Sequence, residues 1–228
     1  MTLNAPLLAI LTTDDSNMTH FSIIGLVGRA GAGKDTVASI LQDAYGHIPL
    51  AFADALREEI CEAFGIDIDA LVNRFNKEQP SPALAISRCK DSRFANRMVA
   101  LAEDPYLPRS PRQIMRWWGT EFRRDCDSSS YWTDRLHERI ESHLRSGARK
   151  IVVTDVRFFN EAEFVRILGG EIWRIQRDSA DAVHADHQSE SEQDRIEADR
   201  CISNNRTLGN LVENVLVTYE LDHGSRTK

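Results

Sequence analysis

The 228 residues, 42% of them hydrophobic, suffice for one substantial core with a smaller insertion, near the upper end of single-domain size. Lys plus Arg number 28 against 35 for Asp plus Glu; the formal net charge of −7 disfavours a surface that coats polyanions and leaves room for a local basic site. The four cysteines, Cys61, Cys89, Cys126 and Cys201, form no C-x-x-C pair, which argues against a zinc site and a disulfide framework and fits reduced thiols in a cytosol.

No uninterrupted apolar run reaches the roughly eighteen residues of a membrane helix. Near the start, the apolar run Pro6 to Leu11 has no basic residue before it and Asp14 and Asp15 after it, a poor signal peptide. Residues 1–20 are expected to form a flexible extension. Phe21 to Val27 is continuous, apolar and rich in β-branched residues, as a strand buried on both faces would be. A glycine-rich turn and a helical pattern to Tyr45 follow. Ile48 to Phe52 reads as a second strand and Asp54 to Phe64 as a helix, with Asp54 as N-cap and Gly65 as its stop. From about 65 to 130 the pattern is that of a helical insertion. Four prolines punctuate its first part around a helix at Ala85 to Ala102, and Ser110-Pro111-Arg112-Gln113 has capping-box spacing with proline at the first helical position. Tyr131 to Arg145 is a further helix, Lys150 to Thr154 a strong strand, and Asn160 with Glu163 the cap of the next helix. After the strand Glu171 to Gln176, residues 178–199 are almost wholly polar and read as a lid outside the core. A short strand at Cys201-Ile202 and a helix from Leu208 to Val217 complete the alternation of an α/β protein.

The most specific feature is Gly28-Arg29-Ala30-Gly31-Ala32-Gly33-Lys34-Asp35-Thr36, set between a strand and a helix. This is the phosphate-binding loop, or Walker A, in the context it requires. Glycines let the backbone wrap an anion so that the N–H groups of Gly28, Ala30, Gly31, Ala32, Gly33, Lys34, Asp35 and Thr36 can converge on a polyphosphate at a helix N-terminus. Lys34 is the mobile point charge that bridges the β- and γ-phosphates. Ser or Thr usually follows this lysine as a Mg²⁺ ligand. Here Asp35 stands in that place and Thr36 comes next, and either suits a hard cation. The expected fold is therefore a P-loop NTPase three-layer sandwich, a parallel sheet between helices.

Four blocks in order, Gly33-Lys34-Asp35-Thr36, Ser110-Pro111-Arg112 through Gly119-Thr120-Glu121 to Tyr131-Trp132, Thr154-Asp155-Val156-Arg157, and Ser203-Asn204-Asn205, resemble the bacteriophage-type deoxynucleoside monophosphate kinases of the adenylate-kinase-like P-loop group. The GKD-type loop and the Asp-x-Arg strand end also look like animal-type phosphomevalonate kinases, so the likeness leaves the acceptor open. The resemblance implies ATP and Mg²⁺ as cofactors, a small nucleotide acceptor, a homodimer as a common state, no membrane partner and a cytoplasmic setting, that of the host if phage-encoded. Asp155, at the carboxyl end of a buried strand, would orient Mg²⁺ or the acceptor's hydroxyl, with Arg157 facing the transferring phosphate. By the same likeness Arg112, Arg57 and Arg124 would grip the acceptor, guanidinium forks suiting phosphate oxygens. Trp118 would offer a face to its base, against a packing reading that also fits Trp117. Arg177 and the lid would cover the donor, and Asn204 would lie beside the donor base. His184-Ala185-Asp186-His187 has a metal-like spacing that a solvated lid explains better.

An acceptor phosphate is already ionised near neutral pH, so no general base is needed, and the sequence supplies a loop, a lysine, carboxylates and arginines for positioning and charge neutralisation. A P-loop kinase acting on 5-hydroxymethyl-pyrimidine in DNA would need Asp155 or Asp35 as base, and the acidic balance opposes it. A nucleotide-dependent switch without transfer would want Asn-Lys-x-Asp, which Asn76-Lys77-Glu78-Gln79 does not complete.

Overall fold

The computed structural model describes residues 21–73, 75–181 and 188–223. The extension expected over 1–20 and the His184 to His187 group lie outside these residues. The chain divides into two compact units, Phe52–Arg135 and the remainder on either side of it.

The larger unit is built on five parallel strands: β1 (Ser22–Val27), β2 (Ile48–Leu50), β3 (Lys150–Val153), β4 (Glu171–Gln176) and β5 (Arg200–Ser203), in the order β2-β3-β1-β4-β5. β1 is central, with Gly25 level with Val153 on one side and Ile172 on the other. A central parallel strand is covered on both faces, hence the unbroken apolar run. Helix α1 (Lys34–Tyr45) follows β1. Its Val37, Ala38 and Leu41 pack with Ile24, Leu26, Trp173, Ile202, Leu211 and Val215 in one buried cluster. Parallel neighbours direct their carboxyl ends the same way, so the turns after β1, β3, β4 and β5 share one edge of the sheet.

Within Phe52–Arg135 lie α2 (Phe52–Phe64), α3 (Asp69–Val72), α4 (Ser92–Ala100), α5 (Pro111–Trp117) and a π-helix over Trp118–Asp127, and α6 (Tyr131–Arg145) begins. Ser110 caps α5 as its spacing predicts, its Oγ accepting from Gln113 N at 3.2 Å, with Pro111 at the first position. The π-helix is not signalled by the sequence, because a wider turn leaves no distinct residue pattern. Side chains engage its carbonyls: Trp132 Nε1 donates to Gly119 O at 3.0 Å and Arg97 Nε to Glu121 O at 3.1 Å.

Three local expectations are corrected. α2 starts at Phe52, so Asp54 lies in its first turn, paired with Arg57 at 3.0 Å, and is not its cap. The helix after β3, α7 (Phe159–Ile167), already contains Asn160 and Glu163, so those two cannot cap it; Glu161 takes that part. The polar stretch after β4 forms α8 (Asp178–Asp181) and α9 (Gln188–Arg195), and it is not wholly outside the core: Ala180 of α8 and Ile196, just past α9, are buried. The last helix, α10, extends over Leu208–His223. Among the described residues no helix is long and apolar enough to cross a membrane.

Candidate functional site

The turn from β1 into α1 is shaped by residues that lack side chains where backbone or a neighbour comes close. A Cβ on Gly28 would stand 2.4 Å from the carbonyl oxygen of Ile175 on β4. Gly33 has φ 105°, in the left-handed region, and a Cβ there would meet Asn204 Nδ2 at 2.4 Å. Ala32 is fully buried beneath the loop, whereas Ala30 and Gly31 are exposed on it. The loop closes on itself through Ala32 N to Arg29 O at 3.1 Å, and Val37 N to Gly33 O at 3.0 Å starts the helical ladder. No side-chain hydrogen bond caps α1, and a helix N-terminus, whose first amides point away from the helix, suits an anion. Lys34 Nζ donates to Gly28 O and, at 3.1 Å, to Arg29 O, which folds the ammonium over the loop.

Two expected donor-site residues brace this turn from neighbouring strands. Asn204, just past β5, donates from Nδ2 to Ala32 O at 2.8 Å, and Arg177, just past β4, reaches Gly31 O at 3.4 Å. Asn205 and Asp178 are tied reciprocally, Asp178 N to Asn205 Oδ1 at 2.8 Å and Asn205 Nδ2 to Asp178 Oδ1 at 2.7 Å. Asp35 and Thr36 are both exposed in the first turn of α1.

Asp155 and Arg157 lie in the turn between β3 and α7, Asp155 half-buried and Arg157 exposed. Thr154 N donates to Leu50 O at 2.9 Å and Val156 N to Leu26 O at 3.1 Å, so the turn is stitched to β2 on one side and to the end of β1 on the other. Asp155 thus stands at the carboxyl edge, on the strand next to the one that carries the loop.

Residues that the sequence reading missed complete this edge. Arg29 pairs with Asp194 of α9 at 2.5 Å, and Arg174 of β4 donates to the carbonyls of Gln193 at 3.2 Å and Ile196 at 2.5 Å. An open cleft is lined by Gly28, Arg29, Arg174, Ile175, Gln176 and Asp194. Arg29 was visible in the loop, but its partner is 165 residues away and nothing local announces it.

In the unit Phe52–Arg135, Arg57 is bonded to Asp54, and its buried Nε has no hydrogen-bond partner among the described residues. Arg112 holds Glu78 through Nε, its side chain 51% exposed, and Arg124 donates to Ser129 O at 3.3 Å. Trp118 is corrected. It is 1% exposed, within 4.7 Å of Phe94 and 5.2 Å of Phe122 between ring centroids, and its Nε1 donates to Glu59 Oε2 at 2.8 Å. Both faces are spent on core packing, so no base can stack there. Trp117, 3% exposed, is core as well.

Glu59 proves to be a hub. Besides Trp118 it accepts from Arg123 Nε at 2.8 Å and from Tyr131 OH at 2.6 Å, and Arg135 Nε lies 3.8 Å away. Arg123 in turn lies over the Phe122 and Tyr131 rings, at 4.6 and 4.8 Å. Burial, then the bond to Glu59, pushes the Tyr131 hydroxyl above its ordinary range. Glu121 is also pushed up by burial. Its Oε2 has no hydrogen-bond partner among the described residues, and Arg116 Nε is 3.6 Å from its Oε1.

The arrangement of the larger unit can seat a polyphosphate on backbone amides and a lysine, with carboxylates beside it. No group of three or more potential metal ligands occurs among the described residues. Asp35, Thr36 and Asp155 carry oxygen donors of the kind a hard cation such as Mg²⁺ takes alongside phosphate and water oxygens.

Residues 73–215 match the family profile described as deoxynucleotide monophosphate kinase. A protein of Acanthamoeba polyphaga mimivirus assigned as a deoxynucleotide monophosphate kinase is 29% identical over 197 residues, 82% of this chain and 90% of its own. Among solved structures, the dephospho-CoA kinase from Campylobacter jejuni aligns over 90% of this chain and 98% of its own at 14% identity, with a TM-score of 0.46. A sugar kinase from Janibacter sp. HTCC2649 aligns over 92% and 99% at 14% identity, with a TM-score of 0.43.

Proposed function

The chain belongs to the deoxynucleotide monophosphate kinase family, and from that membership we propose that it moves the γ-phosphoryl group of ATP onto the phosphate of a (deoxy)nucleoside monophosphate. The observation that carries this reading is the turn from β1 into α1, where glycine backbone, uncapped helix amides and Lys34 meet. In the proposed mechanism Lys34 leaves the carbonyls of Gly28 and Arg29 for the β- and γ-phosphates, exchanging neutral acceptors for charged ones. The loop, from Gly28 to Thr36, holds the donor's phosphates, with Arg177 and Asn204 keeping its carbonyls turned away from them. Mg²⁺, held by Asp35 or Thr36 with Asp155, would supply charge neutralisation on the donor. Arg157 would face the transferring phosphate, and the family likeness gives Arg112, Arg57 and Arg124 to the acceptor; the Nε of Arg57 is a donor with capacity to spare.

The nucleophile is a phosphate oxygen already ionised at neutral pH, so these residues position and neutralise, and none has to remove a proton. Neither phosphorylation of DNA nor a switch without transfer is favoured by the family match.

The test is ADP release from Mg-ATP with each nucleoside and deoxynucleoside monophosphate in turn, for the native chain and Lys34→Ala. Stimulation by one or a few acceptors, lost in the variant, is expected. No stimulation by any of them refutes the reading.

A further inference from the structure

Glu161 is 3% exposed. A carboxylate so buried costs several kcal/mol unless hydrogen bonds or an opposite charge meet it. Its Oε2 accepts from the backbone N–H of Arg157 at 2.8 Å and of Phe158 at 3.2 Å. Phe158, the residue before α7, has no side-chain atom that could cap the helix, so the carboxylate reaches back from the third helical position. A neutral residue would have sufficed for capping alone, as Ser110 does for α5. Here a charge is sunk into the turn that carries Asp155 and Arg157.

The other end of that turn is already tied down, Thr154 N to Leu50 O and Val156 N to Leu26 O. Strands therefore hold the backbone around Asp155, and Glu161 holds it at Arg157 and Phe158. Charge-assisted bonds of this kind are about twice as strong as neutral ones, and they leave the turn little freedom.

The geometry points to Glu161 as a positioning residue for phosphoryl transfer, which fixes the turn so that Asp155 and Arg157 present their side chains at set places on the carboxyl edge. This rests on the kinase reading above. Glu161 touches no reactant; it acts through the two residues it mounts.

The experiment uses the full chain with Mg-ATP and the accepted monophosphate, and compares Glu161→Gln, Asp155→Asn and the double variant. Glu161→Gln keeps one acceptor oxygen without the charge. It is expected to lower kcat about 10- to 100-fold, as loss of supporting-shell partners does, with KM for ATP within about twofold of native. In the Asp155→Asn background the same change should cost less than about threefold, because residues that act as a unit are not additive. Hydrogen exchange should show faster exchange at the Arg157 and Phe158 amides while β1 keeps its protection. Glu161→Asp, which keeps the charge but shortens the reach, carries the same comparison if Glu161→Gln does not fold. Native kcat in both Glu161 variants, or a full multiplicative loss in the double variant, assigns Glu161 to helix capping alone. If no monophosphate stimulates the native chain, the kinase reading fails by itself. The exchange measurement then still decides whether Glu161 holds the turn, unchanged protection overturning that hold.

Discussion

At Gly33 two physical demands coincide, a backbone at φ 105° and the amide of Asn204 2.4 Å from where a Cβ would stand. Alanine there is expected to cost about 1–2 kcal/mol for the left-handed backbone alone. It should also break the bond from Asn204 to Ala32 O, since the side chain must swing away. Urea unfolding of Gly33→Ala measures the first effect and ATP binding the second; native affinity in a destabilised variant would separate stability from the loop's function. Lys34→Ala makes the complementary case. The ammonium donates to two carbonyls of its own loop, so stability should change little, whereas kcat should fall about 10²- to 10³-fold, the usual cost of one donor to the transferring group. A stopped ADP-release assay reads it directly.

The elements of Phe52–Arg135 are held by aromatic packing around a charged hub. Phe122 meets Phe94 and Trp118 edge to face, Phe94 lies tilted against Trp118, and Glu59 ties Trp118, Arg123 and Tyr131 together beside them. Truncation of Glu59 leaves Arg123, 14% exposed, without this partner and two further donors unmet. Glu59→Ala is expected to cost about 3–5 kcal/mol, more than any surface ion pair in the molecule would. Chemical denaturation followed by tryptophan fluorescence checks it. Arg123 keeps Asp127 at 2.9 Å, which places the loss toward the lower end of that range.

The π-helix carries a pH-dependent term. Glu121 is raised above its ordinary 4.5 by burial, so the protonated form is favoured in the folded chain. Its contribution to stability is full below that ordinary value and is lost as pH rises through the elevated one. Glu121→Gln removes the titration. Between about pH 4 and 7 the Tm of the variant is expected to gain progressively on that of the native chain, and parallel Tm curves would refute the assignment.

At the scale of the whole molecule, ligand binding is read as stability. A donor that binds only the folded loop stabilises by mass action, about 2.7 kcal/mol at a hundred times its Kd. Mg-ATP should therefore raise Tm in a concentration-dependent way, and the shift should vanish in Lys34→Ala. The expected lid is part of the same account. Through α9 it is joined to the loop by the Arg29–Asp194 pair and to β4 by Arg174.

The amino-acid sequence by itself determined the parallel α/β plan and the place of the phosphate loop. Both are local: an apolar run such as Ser22–Val27 declares a covered strand, and the glycine spacing before Lys34 declares what its backbone must do. Ser110 and Pro111 likewise announce α5 within four residues. Tertiary structure decided what depends on partners far apart in the chain. Strand order is one instance, β4 and β3 flanking β1 across more than a hundred residues of sequence. Another is the burial of Trp118, whose helical position does not say that Phe94 and Glu59 will cover it. The reach of Glu161 to Arg157 and of Asn204 to Ala32 belongs here too. Such contacts follow from close packing of elements brought together by the fold, and side-chain periodicity carries no record of which partner will arrive.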